Sequence, residues 1–161
     1  MTSATPSELH GGEKQAVAAA LRRMAGELLD LHSAVGIDVV DVSDFERLTI
    51  ARHPAFYRRC FSDREIAYCC AQARPAQHFA VRFAAKEATV KALADRTRLG
   101  YWQIEVERHT DGRPALALWT CDRSARLAEL PNLNLLVSLS HSEAWAAALV
   151  VAFDTDGARD G

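Results

Sequence analysis

Apolar side chains near the start of the chain repeat with the spacing of a helix. Between residues 13 and 32 they recur at steps of three and four, at Val17, Leu21, Met24, Leu28 and Leu31. This stripe predicts an amphipathic helix, which packs either on the rest of the domain or on another subunit. Residues 1–12 are rich in Ser, Thr, Gly and Pro and predict a disordered leader, and the last residues, 154–161, predict a flexible tail.

A strand pattern follows the N-terminal helical extension, which we assign to residues 13–34. Every second position from residue 35 carries a branched apolar side chain, Val35, Ile37 and Val39, and the positions between them are Gly36 and Asp38, as in a β-strand that continues to Val40. Residues 44–52 then predict a helix, and Pro54 interrupts that pattern.

The middle of the chain predicts two further helices. Ser62 and Glu65 have the spacing of a capping box, so a short helix is expected to begin near Asp63 and to end before Pro75. Residues 79–94 are rich in alanine and contain neither Gly nor Pro, which makes them the strongest helix in the sequence.

The last third of the chain predicts mostly strands. The expected elements are a hairpin of two strands near residues 104–106 and 116–118 that turns at Asp111-Gly112, a short helix at 124–130, and two strands at 135–140 and 145–153. Helices mixed with mostly antiparallel strands predict an α+β domain built around the long central helix.

Composition narrows the classes of function. The chain has 161 residues, of which 49% are hydrophobic, and a net charge of −2, so it can form one core and carries no overall basic charge for nucleic acid. It contains no apolar run of the roughly 20 residues that a membrane span requires, and no secretory signal. Its four cysteines lack the spacing of a zinc site, which favours free thiols in the cytoplasm.

The central helix carries charged residues beside its apolar face. At about 100° per residue, Lys86 projects from the middle of that face, Glu87 from its edge, and Lys91 one turn beyond Glu87. Inward charges are costly unless they are paired or bind an ion. Glu87 and Lys91 also fit a simple solvated pair on the helix surface.

Asp38 makes a metal site a specific hypothesis. Aspartate is a poor strand former, so a carboxylate at this place requires a donor, a cation or open solvent. Asp38 and Glu87 together supply two hard oxygen ligands, the usual protein share of a Mg²⁺ shell completed by phosphate and water. His141, at a predicted strand end, is a third candidate, although a lone histidine is more often a surface or core residue.

Three blocks of sequence resemble one known family, the holo-acyl-carrier-protein synthases, which are 4′-phosphopantetheinyl transferases. Residues 36–40 (GIDVV) resemble the family's opening strand, and residues 82–88 (RFAAKEA) with Lys91 resemble its central helix signature. Residues 137–141 (VSLSH) with the alanines at 146–148 are similar to its C-terminal strand pair. The resemblance covers about residues 35–153.

The resemblance implies a fold, an assembly and a reaction. The implied enzyme has the 4′-phosphopantetheinyl transferase fold and forms a homotrimer with active sites between subunits. It moves phosphopantetheine from coenzyme A to a serine of an apo acyl carrier protein in fatty acid or polyketide biosynthesis. Carried over by position, Asp38 and Glu87 hold Mg²⁺, and Arg82, Lys86 and His141 contact phosphates of coenzyme A. Lys91 lies beside the pyrophosphate and stabilises or protonates the leaving phosphate.

An acidic carrier protein implies a basic docking surface. Arg47, Arg52, Arg58 and Arg59, with Arg64 near them, lie in the expected segment, and each also fits an ordinary solvated arginine. Many family members have an arginine soon after the metal-binding aspartate, whereas Val42-Ser43-Asp44 occupies that stretch here. A glycine-rich turn after the central helix is replaced by residues 95–100, and the N-terminal helix is an addition. These departures point to carriers of polyketide or other secondary metabolism.

Two other functions fit the same residues. A metal-dependent phosphohydrolase would use Asp38 and Glu87 to bind the ion and activate water, and would act without a carrier protein. A binding module for carrier protein or coenzyme A would bind without catalysis. The oxygen ligands suit Mn²⁺ as well as Mg²⁺.

Overall fold

The computed structural model describes residues 33–127 and 132–154, so the predicted leader, the N-terminal helix at residues 13–32 and all of the predicted tail except Asp154 lie outside the described residues. The described chain is an α+β domain, as predicted. Its elements are β1 (Ala34–Asp41), α1 (Val42–Arg47), α2 (Pro54–Cys60), α3 (Asp63–Cys70), α4 (Pro75–Ala92), a 3₁₀ turn (Tyr101–Gln103), β2 (Ile104–Arg108), β3 (Pro114–Leu118), β4 (Leu133–His141) and β5 (Trp145–Asp154).

An antiparallel sheet and the long helix α4 form the frame. The strands lie in the order β1-β5-β4, and the register places Asp38 opposite Ala148 and His141 opposite Ala146. Strands β2 and β3 form a separate antiparallel hairpin. Among the described residues, no helix is both long enough and apolar enough to cross a membrane.

Small residues allow α4 to lie close against β1. The helix buries Ala84, Ala85, Ala88 and Ala92 against the sheet. On the strand side, a Cβ atom added to Gly36 would overlap the main-chain carbonyl oxygen of Ala88. A side chain at that position would therefore push the helix away from the strand that carries Asp38.

Aromatic rings fill the other half of the core, between α1, α2, α3 and the start of α4. Phe45 lies at the centre of this cluster, stacked on Phe79 with ring centroids 6.4 Å apart. Tyr57 meets Phe79 edge-on at 4.8 Å, and Phe61 meets it at 5.1 Å. Such contacts are worth about 0.5–1.5 kcal/mol each beyond the area they bury, so they fix the short helices against α4.

The outer face of the sheet remains apolar and exposed. Because side chains alternate along a strand, the residues of β1 that do not face α4 point away from the core. They are Val35, Ile37 and Val39, and Leu136 of β4 and Leu149 of β5 are exposed as well. Ile37 is 60% exposed. The described part of the chain leaves this sheet face uncovered.

Two boundaries near the start of the domain differ from the sequence-based expectation. The helix predicted at 44–52 begins earlier, where Asp41 caps it through the amide of Ser43, and it ends at Arg47. Pro54 does interrupt the pattern, but it also begins α2. Proline is favoured in the first turn of a helix because it has no N–H to leave unpaired.

From residue 62 onward, some predicted elements are confirmed and others are wrong in their bounds or type. The capping box at Ser62 and Glu65 is present, and the predicted hairpin turns at Gly112, where φ is 88°. The central helix begins at Pro75, four residues before the predicted start. The helix predicted at 124–130 is wrong for its described residues, 124–127, since Arg126 pairs with Trp119 as an isolated bridge after a left-handed residue at 123.

Candidate active site

Strand β1 and helix α4 bring Asp38 and Lys91 together. Asp38 shares the inward side of β1 with Gly36, and Lys91 lies near the end of α4. The Lys91 ammonium donates to Asp38 Oδ1 at 2.8 Å and to the Ile37 carbonyl at 3.0 Å. The hydrogen bond to Asp38 raises the pKa of Lys91, and the charge of Glu87 adds to the effect. Lys91 therefore stays positively charged beside this carboxylate.

Glu87 lies one turn before Lys91 and has a polar partner of its own. The hydroxyl of Tyr101, in the 3₁₀ turn, donates a hydrogen bond to Glu87 Oε1. Burial raises the pKa of Tyr101 to about 12, and the hydrogen bond to Glu87 acts in the same direction. The phenol is therefore protonated at ordinary assay pH and acts as a donor.

The two carboxylates fit a hard divalent cation. Asp38 accepts a hydrogen bond from Lys91 at 2.8 Å, and Glu87 lies one helical turn before Lys91 on the same side of α4, so the two carboxylates belong to one cluster. The described chain contains no group of three or more His, Cys, Asp or Glu side chains arranged for a metal. A site with two protein carboxylates suits Mg²⁺, which keeps several waters and shares its shell with substrate phosphates.

Lys86 lies inside the protein instead of facing the site. Its side chain has no exposed surface, and its ammonium donates to Glu65 Oε2 at 2.9 Å, to the Tyr101 carbonyl at 3.2 Å and to the Ile104 carbonyl. Burial lowers the pKa of Lys86, and the Glu65 carboxylate opposes that shift. The prediction that Lys86 points inward agrees with this placement, whereas the implied phosphate contact does not, because the ammonium is enclosed.

Arg82 and His141 belong to a basic cluster on another side of α4. Arg82 is buried, and its guanidinium lies over the Tyr68 ring, 4.1 Å from the ring centre. The Nε atom of Arg82 has no hydrogen-bond partner among the described residues. Arg82 lines a cavity of about 310 Å³ together with Tyr68 and Arg108, and three glutamates also line that cavity, Glu65, Glu105 and Glu107. The ring of His141 lies 5.3 Å from that of His78, whose pKa is lowered by burial and by the nearby positive groups.

One chain does not bring the two groups of predicted site residues to the same place. Arg82 and Glu87 are five residues apart on α4, which separates their directions by about 140° on a helix. Asp38 and Lys91 lie on the Glu87 side, while His78 and His141 lie on the Arg82 side. The carboxylates and the basic cluster thus form two separate half-sites.

The arginines predicted to dock a carrier protein lie on the surface around α1 and α2. All four arginines, Arg47, Arg52, Arg58 and Arg59, are exposed, and Arg47 also pairs with Asp44 at 2.6 Å. Arg58 and Arg59 come from the last turn of α2 and line two neighbouring grooves, each of which also includes Trp102.

Sequence reasoning missed the contacts of three side chains in or beside the two half-sites. Glu65 was expected only as a helix cap, yet one of its oxygens also pairs with Lys86. Tyr101 and His78 carried no motif, because the partner of each lies in another element. A buried lysine in the helix pattern was the available signal that an acidic partner had to exist.

Comparisons of the sequence and of the structure with known proteins agree on one family. The model of the 4′-phosphopantetheinyl transferase superfamily matches residues 34–150. The chain is 45% identical over 118 residues to a holo-[acyl-carrier-protein] synthase of Moorella thermoacetica, covering 72% of this chain and 90% of that protein. The ACPS–CoA complex of Chronobacterium ammoniagenes matches with a TM-score of 0.63 and 28% identity, over 76% of this chain and 98% of the other. A Bacillus anthracis holo-(acyl-carrier-protein) synthase in complex with CoA matches with a TM-score of 0.59 and 26% identity, over 76% of this chain and 96% of that chain.

The buried ion pair gives a test of what Lys86 does. Lys86→Met removes the ammonium and leaves Glu65 charged inside the protein, which should lower the free energy of unfolding by about 3–5 kcal/mol. Replacing both partners, as Glu65→Leu/Lys86→Met, should recover part of that loss, since no unpaired charge remains. Urea unfolding measures both effects.

The exposed pair of Arg74 and Glu143 is the control, since Arg74→Met should cost less than about 1 kcal/mol. If Lys86→Met were as mild as Arg74→Met but abolished coenzyme A binding, Lys86 would be a phosphate ligand and not a structural residue.

Proposed function

The chain belongs to the 4′-phosphopantetheinyl transferase superfamily, and we propose that it transfers 4′-phosphopantetheine from coenzyme A to a serine of an apo acyl carrier protein, the activity of a holo-acyl-carrier-protein synthase. The second product is 3′,5′-ADP. The observation that carries the proposal is the cluster of Asp38, Glu87 and Lys91, in which two carboxylates and an ammonium group share one partly exposed place.

The cluster has the charges that phosphoryl transfer requires. The serine oxygen attacks the β-phosphorus, and the bond to the phosphate of 3′,5′-ADP breaks, so negative charge develops on the phosphoryl and leaving oxygens. Lys91 holds its proton next to that leaving oxygen and stabilises its charge. Asp38 and Glu87 would hold Mg²⁺, which when bound neutralises phosphate charge. Either Glu87 or a water molecule accepts the serine proton.

The basic cluster binds the nucleotide end of coenzyme A. Arg82 presents a guanidinium whose Nε lacks a partner in the described chain, and Arg groups bind phosphate through several parallel hydrogen bonds. His141 lies exposed at the end of β4, where it can reach a second phosphate oxygen. In this proposal the two residues orient the substrate and take no part in proton transfer.

Intact mass of a purified apo acyl carrier protein tests the reaction directly. Incubation with this protein, coenzyme A and Mg²⁺ should add about 340 Da to the carrier, and EDTA should prevent the addition. Glu87→Gln should slow transfer at least about 100-fold, because it removes several kcal/mol of charge stabilisation.

Asp111→Asn is the matched control, since Asp111 pairs with Arg113 in the exposed turn between β2 and β3 and should tolerate the same change from carboxylate to amide. Release of phosphate products from coenzyme A without any carrier would instead identify a phosphohydrolase. Binding of coenzyme A with no change in carrier mass would leave a binding module.

Assembly as a homotrimer would join the two half-sites. β1 is an edge strand, with Ile37 on the apolar outer face and Asp38 on the opposite side, so a neighbouring subunit that covers the outer face and extends past this edge also approaches the carboxylates. A neighbour that supplies its own Arg82 and His141 there completes the substrate site. The separation of the half-sites around α4 supports this arrangement.

Mixing two inactive variants tests the shared site. We expect His141→Glu and Glu87→Gln each to be inactive alone, because one repels phosphate and the other lacks a metal ligand. An intact shared site requires Glu87 from one subunit and His141 from its neighbour. When the two variants are refolded together at equal amounts and assemble at random, about one site in four has both residues, so the mixture should recover about a quarter of the wild-type rate. The measurement is the rate of carrier modification.

Adding Ile37→Glu to both variants provides the control, because a charge on the apolar face should block assembly and with it the recovery. A mixture that stays inactive, while sedimentation finds mixed oligomers, would place the whole site within one subunit.

The arginines of α2 form the proposed docking surface for the acidic carrier. Reversing two charges, as Arg58→Glu/Arg59→Glu, should raise KM for carrier about 10-fold and leave KM for coenzyme A nearly unchanged, because both residues are exposed and charges at the rim of an interface act mainly on the encounter with the partner. Steady-state kinetics with each substrate varied measures the two constants.

Arg113→Glu, in the turn between β2 and β3, is the control for loss of positive charge alone. Equal increases in both KM values would contradict the docking proposal. Arg47 and Arg52 extend the same surface on α1 and the loop after it, and raising the ionic strength should reduce the difference between variants.

The setting of the reaction is a further part of the proposal. Free thiols at all four cysteines are consistent with the reducing cytoplasm, which contains coenzyme A and carrier proteins. We propose Mg²⁺ as the native ion, with Mn²⁺ as a substitute, and polyketide or fatty acid carriers as substrates. Comparing the mass gain across purified carriers of both kinds identifies the preferred one.

A further inference from the structure

The 3₁₀ turn at residues 101–103 is tied to the core at several points. The Gly100 amide donates to the side-chain oxygen of Gln103 at 3.0 Å, which closes the turn. The buried Lys86 ammonium donates to the Tyr101 carbonyl at 3.2 Å. The ring of Tyr101 lies 5.3 Å from that of Phe83 on α4. Main chain and ring of Tyr101 are therefore fixed independently of its hydroxyl.

The hydroxyl of Tyr101 has one partner among the described residues, the Glu87 carboxylate. The packing needs only the ring, because Phe83 and the main-chain bonds hold the residue in place. A phenylalanine would fill the same space and make the same ring contact. The Tyr101 hydroxyl therefore is not needed for packing, and its only described contact is with the Glu87 carboxylate.

We propose that Tyr101 is a positioning residue for Glu87: its hydroxyl holds one carboxylate oxygen and turns the other toward the divalent cation. This inference rests on the proposed function, in which Glu87 and Asp38 share the ion. Lys91 makes the corresponding contact to Asp38, so each carboxylate is oriented by a side chain from another part of the fold. A carboxylate with one oxygen already bonded loses less rotational freedom when it binds a cation.

Cation binding without turnover tests the inference. Tyr101→Phe should weaken Mn²⁺ binding about 10-fold, at the low end of the effect of removing groups that orient metal ligands. Binding is measured by the electron paramagnetic resonance signal of free Mn²⁺, with coenzyme A present and no carrier protein. The thermal unfolding midpoint should change little, since the ring and its contact with Phe83 remain.

Tyr57→Phe is the matched control. It removes a phenol hydroxyl that donates to the Leu48 carbonyl at 2.6 Å, away from both carboxylates. Its Mn²⁺ affinity should equal that of the unmodified protein.

The outcomes separate this inference from the proposed function. If Tyr101→Phe binds Mn²⁺ as tightly as the unmodified protein while Glu87→Gln binds weakly, the cation site stands and the role of Tyr101 is overturned. If Glu87→Gln also binds normally, the cation site itself is wrong, and the inference fails with it.

Discussion

The buried ion pair between Lys86 and Glu65 links four elements of this fold: α3, α4, β2 and the 3₁₀ turn. Two charges without access to water each carry a desolvation cost of several kcal/mol, which is offset only when every donor and acceptor is satisfied. Here the Lys86 ammonium meets three oxygens, and the second Glu65 oxygen accepts from the Val106 amide at 3.0 Å. The pair therefore specifies one arrangement of α3, α4, β2 and the 3₁₀ turn. Because that turn carries Tyr101, the same pair controls the surroundings of Glu87.

The close approach of α4 to β1 is the second constraint, and it acts on the other carboxylate. Gly36 and the alanines of α4 remove the side chains that would hold the two elements apart. Lys91 can then reach Asp38, two residues along the strand from Gly36, at 2.8 Å. Small residues in this pattern give little hydrophobic burial of their own, but they determine how near the helix comes to the strand. The site thus depends on packing geometry as much as on its charged residues.

The sequence contained most of the fold because local rules determine most of it. Alternation predicted β1, the capping box predicted the start of α3, and helical periodicity placed Lys86 inward and Glu87 at the edge. Local rules could not identify partners distant in the chain, so the contacts of Glu65 and Tyr101 were missed. They also misread the helix at 44–52, since a proline can end one helix pattern and begin the next. At 124–127, a left-handed residue at 123 and a bridge to β3 replaced the expected helix.

The direction of side chains around α4 connects the fold to the proposed assembly. A helix packed on one side by a sheet and on another by shorter helices has room for charged groups at two edges, and here one edge carries carboxylates and the other a basic cluster. The carboxylate edge lies across the edge strand β1 from the exposed apolar face that includes Ile37, whereas the Arg82 edge adjoins His141 at the end of β4. A subunit that buries this face against a neighbour excludes water from apolar side chains. In the proposed assembly the same contact would bring the carboxylates near the neighbour's basic cluster, so the hydrophobic contact that stabilises the assembly would also complete the site.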